Sequence, residues 1–182
     1  MRAALSRLGG RGTLPLPELA MLTRICAAIA KLCLMLAVAG LVAVVAAVIT
    51  QVFGRYVLND TPTWAEALAM LLVLYVTMLG AAVGVRDAGH IGMESLLVLV
   101  PERVRLKMEL VIHAFVAVFG AMMAWNGGLL AWSVHDYLVP TLGVSEALNY
   151  VPMTLAGALI LLFSVEHIIA QLRGEEVVPA WH

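Results

Sequence analysis

The chain has 182 residues, of which 63% are hydrophobic and only 13% charged, about half the charged fraction of an ordinary soluble domain. Its formal net charge of −1 offers no electrostatic footprint for nucleic acid. A water-soluble globule is excluded on the same ground, because four long stretches contain no Asp, Glu, Lys or Arg and so have no face to turn to water.

These stretches are Leu32 to Gly54, Ala67 to Val85, Leu110 to His135 and Ala147 to Val165. At about 1.5 Å per residue in a helix, each reaches roughly the 30 Å of a bilayer's hydrocarbon core. The expected fold is all-α and integral to a membrane, with four transmembrane helices in a domain over 24–172. No internal repeat is apparent.

Before the first stretch, Gly9, Gly10, Gly12, Pro15 and Pro17 suit a flexible leader over 1–23. The apolar run behind it is too long for a cleaved export signal and lacks a small-residue cleavage site, so it reads as a retained helix. Cys26 and Cys33 show neither a redox nor a zinc spacing and read as packing residues. Asn59, Asp60, Thr61 and Pro62 make a polar turn. Thr63 and Glu66 then resemble a capping box that opens helix two, with Arg55 and Glu66 bracketing the turn closely enough to pair.

Ile91 to Val100 is apolar but too short to cross a bilayer, and Asp87, Glu94, Glu102 and Arg103 flank or interrupt it. It reads as a cytoplasmic interfacial segment between helices two and three. Pro101 suits the first turn of helix three. Trp132, Tyr137 and Tyr150 fall where an interfacial aromatic belt would lie, and residues 173–182 form a tail.

Ten of the eleven Lys and Arg residues fall on one side of these spans: Arg2, Arg7, Arg11, Arg24 and Lys31 before the first, Arg86, Arg103, Arg105 and Lys107 between the second and third, and Arg173 after the fourth. Only Arg55 lies on the other. The excess of positive charge on cytoplasmic loops implies that both termini are cytoplasmic.

No ionisable residue falls near the middle of a span, where a self-sufficient transporter keeps its binding or proton site. Gln51 and Asn126 are the deepest strongly polar residues, and interhelical hydrogen bonds are their expected role. Small residues recur every fourth position at Ala39, Ala43 and Ala47, at Gly80 and Gly84, and at Gly120, Ala124 and Gly128, which lets backbones approach closely in lipid. Whether the neighbour is a helix of this chain or of a partner stays open. His113 and His167 could face each other as ligands of a b-type haem.

The segment QVFGRYVLNDTPTWAEALAMLLVLYVTMLGAAVGVRDAGHIGMESLL resembles the signature region of the small membrane subunit of tripartite ATP-independent periplasmic (TRAP) transporters, the DctQ-like proteins. The matching positions are Arg55 at the end of helix one, Trp64 with Glu66 opening helix two, Gly80 late in helix two, and His90 before the interfacial segment. The family's common second acidic residue is absent, since Ala67 follows Glu66.

The resemblance implies a non-enzymatic permease subunit of the bacterial inner membrane, without a cofactor. It implies work beside a large DctM-like permease and a periplasmic DctP-like binding protein, in sodium-driven import of organic acids such as dicarboxylates, keto acids or sialic acids. The small subunit would extend the scaffold, with Arg55, Trp64, Glu66, Gly80, Gly84 and His90 as partner-interface or structural candidates. A haem-bearing anchor of an oxidoreductase and a self-sufficient small exporter are the alternatives.

Overall fold

The computed structural model describes residues 17–60, 62–87 and 102–173. The first part of the leader, His90, Pro101, the Ile91 to Val100 segment and the tail from 174 onward lie outside the described residues.

Four helices form: α1 (Pro17–Tyr56), α2 (Thr63–Asp87), α3 (Glu102–Ser133) and α4 (Val151–Arg173). All four are long and apolar enough to cross a membrane. They stand in a row rather than a square. α1 packs along α2, α2 along α4 and α4 along α3, while α1 reaches α4 only over a short stretch. The near end of the row holds the start of α1, the end of α2, the start of α3 and the end of α4. The far end holds the α1–α2 turn and the α3–α4 connection.

α1 has 40 residues, about 60 Å of helix, against the 23 expected from its uncharged stretch. It already runs from Pro17, so the last seven residues assigned to the flexible leader are helical. Its sheltered positions are Cys26, Ala30, Cys33, Ala37, Gly40, Val44, Ala47, Gln51 and Gly54, in alternating steps of four and three. α2 answers with Ala65, Ala69, Leu72, Val76, Leu79, Val83 and Arg86 at the same alternation. This 3.5-residue period is the pattern of a left-handed helix pair. It corrects the expected stripe, because Ala39 and Ala43 are exposed and only Ala47 lies on the seam.

The turn between α1 and α2 folds back on α1. Asp60 N–H donates to Gly54 O at 3.1 Å, and Asn59 takes φ 52°, a left-handed conformation that Asn tolerates better than most residues. A Cβ on Gly54 would come within 2.7 Å of Pro62 Cδ and 2.9 Å of Asp60 O. Only glycine leaves room for the returning chain.

α3 and α4 approach still more closely. A Cβ on Gly120 would stand 2.9 Å from Gly157 O, and one on Gly157 would collide with the backbone of Ala124. The expected Gly120, Ala124 and Gly128 stripe is therefore engaged within the chain over its first two members. Gly128 contributes little, and Gly127, facing Thr154, is the third close contact.

The α3–α4 connection carries a two-residue antiparallel β-ribbon, β1 (Leu138–Val139) with β2 (Val144–Ser145), closed through Gly143 at φ 65°. A 3-10 turn over Glu146–Asn149 follows, with Ser145 as its N-cap. The apolar core of Cys26, Ala30, Cys33, Ala82, Val83, Ala156, Ile160 and Phe163 lies where α1, α2 and α4 meet. Both cysteines are free and buried, in the packing role expected of them.

Candidate functional site

The strongest polar feature lies at the near end, inside the protein. Arg86 on α2 and Glu166 on α4 are 1% and 0% exposed and form a two-pronged ion pair. Nε donates to Oε2 and Nη2 to Oε1, each at 3.1 Å. Two parallel N–H···O bonds are the geometry in which guanidinium and carboxylate satisfy each other most fully. Arg86 Nη1 also reaches Asp87 Oδ1 at 3.4 Å, and the guanidinium carbon sits 5.9 Å from the centre of the Phe163 ring.

Neighbours complete the cluster. His167 Nε2 bonds Arg86 O at 2.9 Å. The ring of His167 stacks on His113 of α3, with centroids 4.7 Å apart and planes 4° from parallel. Cys26 of α1 lies within hydrogen-bonding reach of Glu166. Each of the four helices thus sends at least one side chain into one cluster. Just outside it, Gln171 Nε2 donates to Glu109 Oε2 at 2.9 Å, a second polar bond between α4 and α3.

One placement changes here. Arg86 and Asp87 fall in the connection after the second uncharged stretch by sequence, but α2 runs on through both, and α4 through Glu166 to Arg173. A charge that meets its counter-charge inside the protein has no need of the interface. The clue lay in the sequence after Glu166, where Ile168, Ile169 and Ala170 keep the apolar pattern going past the charge.

The alternative haem reading finds no support in this geometry. Axial imidazoles approach an iron through a ring nitrogen, from opposite faces of the porphyrin, whereas these two rings lie face to face at stacking distance.

At the far end, Arg55, Trp64 and Glu66 are all exposed. Among the described residues no ion pair joins Arg55 to Glu66. Glu66 Oε2 instead accepts from Gln51 Nε2 at 3.4 Å, so the carboxylate reaches across to α1 rather than back to Thr63 as a capping box would have it. Gln51 thereby makes the interhelical bond expected of it. Asn126 does not. Its Nδ2 donates to Met122 O of its own helix at 2.8 Å, and the residue is exposed on the outer face of α3.

Gly80 and Gly84 behave unlike the other stripes, since a Cβ on either would meet nothing within 4 Å. A second polar tie joins α2 to the far connection, where Tyr75 Oη donates to Leu148 O at 3.2 Å.

The family model described as "Tripartite ATP-independent periplasmic transporters, DctQ component" matches residues 44–174. The chain is 31% identical over 112 residues to the "Sialic acid TRAP transporter small permease protein SiaQ" of Vibrio cholerae serotype O1, a match covering 60% of this chain and 65% of SiaQ. It is 39% identical over 64 residues to the "Sialic acid TRAP transporter permease protein SiaT" of Haemophilus influenzae, covering 35% of this chain and 10% of SiaT. The matched parts thus span less than two thirds of either relative. The family match takes in α2, α3 and α4 whole, together with the second part of α1 and the Arg86–Glu166 pair, and on this basis the chain is a multi-pass membrane protein of the DctQ family of TRAP transporter components.

Proposed function

We propose that the chain is the small permease subunit of a sodium-driven, binding-protein-dependent TRAP transporter that imports organic acids, sialic-acid-like carboxylates among them. In this reading it lies in the bacterial inner membrane with both termini cytoplasmic. It anchors and extends the scaffold of a large DctM-like permease, which a periplasmic DctP-like protein supplies with substrate.

The observation that carries the scaffold role is that the buried Arg86 and the two deep amides, Gln51 and Asn126, are engaged within the chain itself. An acid substrate needs a cation or donor to hold it. Arg86, buried at 1% exposure, is occupied by Glu166. Gln51 is engaged with Glu66 and Asn126 with its own helix. The similarity to the sialic acid transporter proteins SiaQ and SiaT supports the substrate class, and the small share of SiaT that is matched supports a much larger permease as the partner.

Reconstitution tests this directly. Uptake of labelled sialic acid and dicarboxylates into proteoliposomes is expected only when this chain, the large permease and the binding protein are all present with an inward sodium gradient. Transport by this chain alone would establish the small-exporter reading in its place.

Orientation has its own test. A phosphatase fusion in the connection near Thr141 is expected to be active and one at His182 inactive, following the ten-to-one sorting of Lys and Arg. The Ile91 to Val100 segment belongs in the same reading as a cytoplasmic surface brace. Cysteines placed along it would then label with a periodic pattern of protection, and uniform labelling would remove it.

A further inference from the structure

The role of the near-end cluster is not explained by substrate handling, and its composition is unusual for a span. Helices in lipid gain little from apolar contact alone, because lipid tails are as apolar as leucine, so an apolar interface fixes register weakly. Within each hairpin the problem is solved by shape. α3 and α4 interlock through Gly120 and Gly157, and α1 and α2 follow matching four-and-three seams.

The joint between the hairpins runs mainly along α2 and α4, and no glycine makes it close. A Cβ on Gly80 or Gly84 of α2 would meet nothing, and Gly157 of α4 faces α3. Bulky Phe163 and Ile160 occupy the core beside this joint. Its directional contacts are polar: the two-pronged Arg86–Glu166 pair and the His167–Arg86 O bond at the near end, and the Tyr75–Leu148 O bond on the far side.

We propose that the Arg86–Glu166 pair is a clasp that locks the α1–α2 hairpin to the α3–α4 hairpin in a single register, with Cys26 and the His113–His167 stack tying the outer helices to the same point. A two-pronged pair suits this because it fixes distance and orientation together, and sliding either helix by one turn breaks both bonds at once. Leaving either partner alone strands a charge away from water. Intermediate registers are therefore disfavoured in a way that a Leu–Leu contact could not achieve.

The clasp is tested on the full chain by itself, with no permease present, so that its outcome is independent of the scaffold reading. A protease site is inserted into the connection between residues 88 and 101. The protein is purified in mild detergent and cut, and the fraction of the α3–α4 half that stays with a tagged α1–α2 half is measured over time.

The halves of the otherwise unaltered chain are expected to stay together. Arg86→Met and Glu166→Met each raise the dissociation rate tenfold or more, and the double variant is no faster than the faster single, the non-additivity that marks direct coupling. Tyr75→Phe multiplies the rate two- to threefold independently of the other two. Should either Met variant fail to accumulate, Arg86→Lys, which keeps the charge and loses the fork, decides the matter: intermediate dissociation supports the clasp, and dissociation equal to that of the unsubstituted halves overturns it. Singles that leave the rate unchanged, or that simply multiply in the double variant, overturn it as well.

Discussion

The two kinds of helix interface in this protein reach the same end by opposite means. Within a hairpin, α3 meets α4 by removing side chains, so that backbones touch at Gly120 and Gly157. Between hairpins, α2 meets α4 with some of the largest side chains available, Arg86 and Phe163, and with a buried charge on each side of the contact. The first interface is continuous and graded, each residue adding a little dispersion energy. The second is concentrated in a few bonds that are either made or lost. Interfaces of the first kind should weaken gradually under substitution, and the second kind should fail at once.

The largest effect expected is therefore at the clasp. Arg86→Ala or Glu166→Ala leaves its partner buried and unpaired, which costs about 3–5 kcal/mol. Thermal unfolding in detergent, followed by size-exclusion profile, is expected to show the midpoint collapsing in either variant. A midpoint unchanged in both would mean that water reaches the pair and that it contributes little.

The packed seam comes next. Gly157→Val drives a branched side chain into the backbone of Ala124, where nothing can rotate away. The expected loss is about 1–3 kcal/mol, and Gly157→Ala should cost less but remain measurable by the same unfolding profile. If Gly157→Val were as stable as the parent, the close approach of α3 and α4 would be wrong.

Much of this architecture was legible in the sequence because lipid imposes simple rules. Four uncharged stretches, the polar Asn59–Pro62 turn, the start of α3 by Glu102 and the packing role of Cys26 and Cys33 all follow from length, hydropathy and turn chemistry. The Gly120–Ala124 stripe was also readable, since close approach demands small residues at four-residue spacing.

What escaped reading was anything that depended on partners across the fold. Arg86 and Glu166 lie 80 positions apart, and each alone looks like a residue marking the membrane edge. Ala39 and Ala43 obey the small-residue pattern yet face outward, because in an apolar helix every face is equally greasy and the pattern does not say which one is used. Asn126 looks like a residue in need of a partner helix, but its own Met122 carbonyl satisfies it. Of the candidates drawn from family resemblance, Arg55, Trp64 and Glu66 are exposed at the far end, and Glu66 bonds Gln51 rather than Arg55.

Smaller effects separate the ties of the inter-hairpin joint. Tyr75→Phe removes one hydrogen bond to the Leu148 carbonyl, worth about 0.6–1 kcal/mol in a membrane setting. Asn126→Leu removes a polar group that faces outward and is already satisfied, so the isolated chain should be at least as stable. A substitution at Asn126 that changed which acid an intact complex transports would instead place substrate against this chain and end the scaffold reading.

The smallest effect on the isolated chain belongs to Gly80 and Gly84, and it is the most instructive for assembly. Nothing within 4 Å meets a Cβ built at either position, so Gly80→Ala and Gly84→Ala should leave the unfolding midpoint unchanged or raise it slightly, as alanine is the better helix former by about 1 kcal/mol. Close approach is the main use a membrane helix has for paired glycines four residues apart, and among the described residues no neighbour comes close enough to use them. If the large permease does, then Gly80→Leu and Gly84→Leu will fold normally alone yet lose recovery of the assembled complex. Arg55→Ala and Glu66→Ala, exposed at the far end, are expected to behave the same way, with uptake falling in step with recovery and substrate preference unchanged. A subunit that folds, assembles and supports uptake with leucine at both glycines would show that this face of α2 meets only lipid, and would move the search for the permease contact to the outer surfaces of α1 and α3.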